Sequence, residues 1–88
     1  MKSIGIMPMR DVPDNTFISA VENEKDIRYI YLKLATIPAE VNHGVEEVSM
    51  YAYGNFPCCT ENTSRLVYTY DYEKVLKKWN KTENARRI

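Results

Sequence analysis

The stretch that decides the fold is the last regular segment of the chain, Asp71–Lys81, which reads DYEKVLKKWNK. At about 100° per residue, one arc of a helix would hold four apolar side chains, Tyr72, Val75, Leu76 and Trp79. Asp71 is a good N-cap, because its carboxylate can accept backbone N–H groups of the first turn. Beyond Lys81 the same helix would turn charged residues onto the apolar arc. The stretch therefore predicts a C-terminal amphipathic helix with a buried face, followed by a frayed tail over residues 83–88.

Upstream of this helix, apolar and polar residues alternate as they do in β-strands. Residues 45–53 and 65–70 alternate clearly, and Lys2–Met7 alternates weakly. Thr16–Val21 and Ile27–Ile37 favour a hairpin by composition, although the spacing of the second segment also fits a helix. The pattern predicts an α+β fold: a small antiparallel sheet of four to five strands with one C-terminal amphipathic helix packed on one face.

The whole chain of 88 residues is expected to form a single domain, because it contains no linker and no repeat. A helix on one side of a sheet leaves the opposite face to be polar, or to be covered by a partner or by a second copy. Cys58–Ser64 reads as a polar loop, and two adjacent cysteines make no disulfide framework. We expect a cytoplasmic protein with reduced thiols.

Charge and hydropathy disfavour two classes of partner. Twelve basic and twelve acidic residues cancel to a net charge of zero, whereas nucleic-acid-binding domains usually carry a positive excess. No apolar run approaches the roughly 20 residues of a membrane span. One alternative survives, because the outward side of the predicted helix could bind nucleic acid through Lys74, Lys77, Lys78 and Lys81.

The residues that carry catalytic or metal chemistry are few. His43 is the only histidine, and its spacing to Cys58 and Cys59 matches no familiar zinc pattern. Glu46 and Glu47 are adjacent in a predicted strand and so would face opposite ways, which disfavours a carboxylate pair. We expect no enzyme, no metal and no cofactor.

Tyrosine is the unusual feature of the composition, with seven residues, several spaced two apart in predicted strands. Such pairs share a strand face and could form a broad phenolic contact surface. The plainer interpretation is packing between strands beneath the helix. The predicted partner-binding residues are Tyr29, Tyr31, Tyr51 and Tyr53.

The function expected from these observations is non-catalytic. The chain would be a small binding protein that regulates or inhibits a larger macromolecule by protein–protein contact, of the kind found among phage and mobile-element accessory proteins. A homodimer through the tyrosine surface is an alternative outcome of the same contact chemistry.

Overall fold

The computed structural model describes residues 1–52, 57–60 and 63–86, with side chains described for residues 1–52 and 63–81. Its elements, in chain order, are β1 (Gly5–Pro8), β2 (Thr16–Ser19), β3 (Tyr31–Ile37), β4 (Glu47–Ala52), β5 (Pro57–Thr60), β6 (Leu66–Tyr70) and α1 (Tyr72–Arg86). The strands form one antiparallel sheet in the order β1-β6-β2-β3-β4-β5. The predicted α+β class, an antiparallel sheet with one C-terminal helix, is confirmed.

Two segments of the sheet differ in part from the sequence prediction: the second arm of the hairpin, and the segment that contains β5. β2 pairs with β3, so the predicted hairpin is confirmed, but its second arm begins with a 3-10 turn at Ile27–Tyr29. The side chain of Asp26 starts that turn by accepting the N–H of Arg28 at 3.0 Å. The predicted loop over Cys58–Ser64 is wrong in part, because β5 occupies Pro57–Thr60 and pairs with β4. Proline is tolerated there because it is the first residue of an edge strand.

The helix α1 begins at Tyr72, directly after the predicted N-cap residue Asp71. The Asp71 carboxylate accepts the backbone N–H of Lys74 at 3.1 Å. Val75 and Trp79 are buried and Leu76 packs against them, whereas Tyr72 is partly exposed and stacks on Phe17. The helix runs to Arg86, so most of the segment predicted to fray is helical.

The core beneath α1 is built on one face of the sheet. Phe17 of β2 pairs with Tyr70 of β6, and its ring centroid lies 5.0 Å from that of Trp79. Ile27 and Ile30 close this core from the start of the second hairpin arm. The hydroxyl of Tyr70 accepts the N–H of Glu24 at 2.9 Å, which ties the loop after β2 to β6.

The opposite face of the sheet has a second core, which the chain covers by itself. Ile18, Val48 and Val67 point to this face and pack with Met9 and Val12, both buried in the segment that connects β1 to β2. The prediction that this face is polar or covered by another molecule is therefore wrong for the part that Met9 and Val12 cover. No helix among residues 1–52, 57–60 and 63–86 is long and apolar enough to cross a membrane.

Candidate functional site

The two most exposed large apolar side chains among the strand residues whose side chains are described, Ile6 and Leu66, lie at the β1 edge of the sheet. The register places Ile6 opposite Tyr68 and Pro8 opposite Leu66. Ile4 directly precedes β1, and its N–H donates at 2.8 Å to the carbonyl of Thr69, the residue that the register places opposite Gly5. Because side chains two apart share a strand face, these residues form one surface. We call this surface the apolar strip; it consists of Ile4, Ile6, Pro8, Leu66 and Tyr68.

The apolar strip is on the same sheet face as α1 and lies beside the helix, since Tyr68 packs against the core under α1 and Ile4 lines a groove with Lys74. Tyr68 and Tyr70 share that face of β6, and Tyr70 belongs to the core under α1. From its start after β6, α1 crosses β2 towards β4, where the ring of Trp79 lies 6.2 Å from that of Tyr51. On the other side of this path, the side chains of Ile4, Ile6 and Leu66 stay more than half exposed.

Exposure of the strip is high for aliphatic side chains in strands. Ile4 is 68% exposed, Ile6 51% and Leu66 57%, while Tyr68 is half-buried between them. Contiguous exposed apolar side chains mark contact sites more often than isolated ones do. The strip is therefore the candidate functional site.

The strand that carries most of the strip, β1, is an edge strand. It pairs with β6 on one side, and none of the other strands that the structure describes is its neighbour on the other side. Close pairing depends on Gly5, because a Cβ at that position would lie 3.1 Å from Oγ1 of Thr69. An edge strand offers backbone N–H and C=O groups to an incoming chain, and Pro8 removes one such donor.

The structure does not bring the predicted tyrosines together. Tyr29 belongs to the 3-10 turn before β3 and not to a strand. Tyr31 pairs with Ile18 and packs into the second core, whereas Tyr51 is on the α1 face. The single tyrosine surface is therefore wrong in its geometry, because Tyr31 and Tyr51 point to opposite faces. Tyr53 lies outside the described residues, and partner binding by any of the four stays a prediction.

The four predicted lysines lie along the outer side of α1. Lys74, Lys77 and Lys81 are exposed, and Lys78 Nζ is 3.4 Å from the carbonyl oxygen of Lys25. Binding of nucleic acid through this side of the helix stays a prediction.

A buried lysine is the most unusual ionisable group of the fold. Lys33 of β3 is 1% exposed, on the face of the second core. Its Nζ donates to the carbonyl of Val12, lies 3.5 Å from that of Arg10, and lies 3.9 Å from a carboxylate oxygen of Asp14. Burial lowers the pKa of Lys33 below its ordinary value, because the loss of solvation outweighs the nearby carboxylates of Asp14 and Asp11. Through these contacts, Lys33 connects β3 to the segment between β1 and β2 that covers the second core.

Other polar side chains near the second core form contacts within the fold. The hydroxyl of Thr63, which is buried, donates to the carboxylate of Glu46, and that carboxylate lies 3.6 Å from Nε of Arg10. His43 is exposed in the turn between β3 and β4, where its φ is 56°. Within the described part of the chain, no three His, Cys, Asp or Glu residues are grouped as metal ligands.

Sequence reasoning missed both the apolar strip and the burial of Lys33. The signal for the strip was the pair Ile4 and Ile6 in a weakly alternating strand, together with Leu66 and Tyr68 on one face of another. What the sequence could not show was that β1 and β6 are neighbours and that α1 crosses β2 towards β4. Comparison of the chain with protein-family models, with curated proteins and with solved structures found no match.

Proposed function

We propose that this chain is a protein-binding module that uses the apolar strip as its contact surface. The observation that carries the proposal is the exposure of Ile4, Ile6 and Leu66, each more than half accessible, on one face of a free sheet edge. Three such side chains are costly to leave in water, and burial of each in a contact would contribute about 1–2 kcal/mol. A surface of this kind is therefore suited to association with another protein.

Binding through the strip gives the module a way to regulate or inhibit a larger macromolecule. Most of the strip is on β1 and β6, which are already paired with each other in the sheet, so that little ordering of the backbone is required on association. A module of this size would act by covering part of the surface of its partner. No step of bond chemistry is needed for that role.

Substitution of Ile6 by aspartate is expected to abolish partner capture. A carboxylate at the centre of the strip would have to be desolvated in any contact, which disfavours association by more than 1 kcal/mol. The tagged protein would be used to capture proteins from a lysate of cells that produce it. Proteins that depend on the strip should fall by about fivefold or more with Ile6→Asp.

Val41→Asp is the matched control, because Val41 is also an exposed aliphatic residue, at 72%, in the connection between β3 and β4. It should retain the partners at the wild-type level. Leu66→Asp provides a second strip variant, and circular dichroism establishes that each variant is folded. Equal capture by wild type, Ile6→Asp and Leu66→Asp would contradict the proposal.

A further inference from the structure

Part of the connection between β1 and β2 covers the second core with few contacts of its own. It consists of residues 10–15, which we call the cover segment. Five of its six side chains are exposed, and Val12 is the exception, at 2% exposure. Val12 packs in the second core with Ile18, Val48 and Val67. One buried apolar side chain therefore holds the cover segment against the sheet.

Backbone hydrogen bonds attach the cover segment at its two ends. At its first residue, the N–H of Arg10 donates to the carbonyl of Thr63 at 2.8 Å. At its last, the N–H of Asn15 donates to the carbonyl of Lys33 at 2.7 Å. Between them, no backbone N–H of residues 11–14 donates to the backbone of a strand within the described part of the chain. The middle of the segment therefore depends on side-chain contacts.

The side chain of Lys33 makes further polar contacts to the cover segment. Its buried Nζ donates to the carbonyl of Val12 and lies 3.5 Å from that of Arg10. An ammonium group loses solvation when it is buried, and the carboxylates of Asp14, at 3.9 Å, and of Asp11 offset only part of that loss. The closed position thus combines the contacts to two carbonyls with an unfavourable desolvation, which is relieved if the segment moves away.

We propose that the cover segment opens as a unit while the sheet stays folded, and that the contacts of Lys33 limit how often it opens. A segment with one buried apolar side chain and backbone bonds only at its ends opens at a lower free energy than paired strands do. Opening admits water to Lys33 and uncovers part of the cluster of Ile18, Val48 and Val67. The second face of the sheet then gains an apolar surface that the closed state lacks. This conformational device lies on the face opposite to the apolar strip and is independent of the proposed function.

Native-state amide hydrogen exchange in low concentrations of urea separates local opening from global unfolding. The probes are the amides of Arg10 and Asn15, whose hydrogen bonds join the cover segment to the rest of the fold. After correction for intrinsic rates, we expect both to exchange at least about 100-fold faster than the most protected amides of β2, β3 and β6. Low urea concentrations should hardly change the two rates, because local opening exposes little surface and urea acts in proportion to the surface exposed.

Three variants separate opening of the cover segment from global stability. Lys33→Ala and Val12→Ala each remove a contact of the segment and should speed exchange at Arg10 and Asn15 by about tenfold or more. Leu76→Ala is the matched control, because Leu76 packs against the core beneath α1. It should speed exchange of the most protected sheet amides and leave Arg10 and Asn15 within about twofold of the wild type.

Two results would overturn the inference. In the first, the amides of Arg10 and Asn15 are as protected as the most protected sheet amides, or Leu76→Ala speeds all of them by the same factor. These two amides would then exchange only through global unfolding. In the second, exchange at both amides is the same in the wild type, in Lys33→Ala and in Val12→Ala, so that the contacts of Lys33 would not limit opening.

Discussion

Replacement of Trp79 by alanine is expected to lower the free energy of unfolding by about 3–5 kcal/mol, the usual cost of removing a buried aromatic ring. Trp79 is the residue that joins α1 to the sheet at two points, since its ring contacts both Phe17 and Tyr51. A domain of this size has a total stability of only about 5–13 kcal/mol. The variant should therefore be largely unfolded well below the midpoint temperature of the wild type.

Urea unfolding followed by circular dichroism measures the effect of Trp79→Ala. Lys77→Ala is the control on the same helix, because Lys77 is exposed and its removal should change stability by less than about 0.5 kcal/mol. A loss below about 1 kcal/mol for Trp79→Ala would show that α1 is not held to the sheet by this ring.

The second large effect is expected at Lys33. Lys33→Ala should cost about 2–4 kcal/mol, because it removes a buried stem and leaves the carbonyl groups of Val12 and Arg10 without their donor. Lys33→Met should cost less, since it keeps the stem and removes a desolvated charge. Urea unfolding measures the free energy of unfolding of the wild type and of the two variants. Equal stability of Lys33→Ala and wild type would show that the contacts of Lys33 do not stabilise the fold.

The contribution of Lys33 to stability should depend on pH, in a direction set by the lowered pKa of its side chain. Burial lowers the pKa of Lys33 in the folded protein, so the unfolded chain binds more protons between that lowered pKa and the ordinary value of 10.5. Stability of the wild type relative to Lys33→Met should therefore rise as the pH is raised through this window. A relative stability that falls with pH would mean that Asp14 and Asp11 raise the pKa of Lys33 instead.

The elements with strong local signals were predictable. The cap at Asp71 and the spacing of Val75 and Trp79 fix α1, because both act within a few residues of sequence. The hairpin of β2 and β3 followed from the Ile and Tyr content of its second arm, even though the period alone fitted a helix. Boundaries were less predictable, as shown by β5 in a segment that reads as polar.

The position of the apolar strip could not be predicted, because it depends on contacts between residues that are far apart in the sequence. Tyr29 left the predicted strand because Asp26 caps a 3-10 turn there, and β3 gains an extra residue between Lys33 and Ala35, which changes the alternation. The order of strands decides that β1 is an edge. The direction of α1 then decides which strands it covers, and with them which apolar residues stay exposed.

The central claim is that the apolar strip is where this chain contacts another protein. Amide hydrogen exchange, compared for the free chain and for the chain bound to a partner that it captures, tests that claim most directly. The account predicts that exchange at Ile6 and at its neighbours in β1 slows by about tenfold or more, while amides of the Lys77 and Lys81 turns of α1 are unchanged. Protection of that helix surface or of the Tyr29 turn, with β1 unaffected, would contradict it.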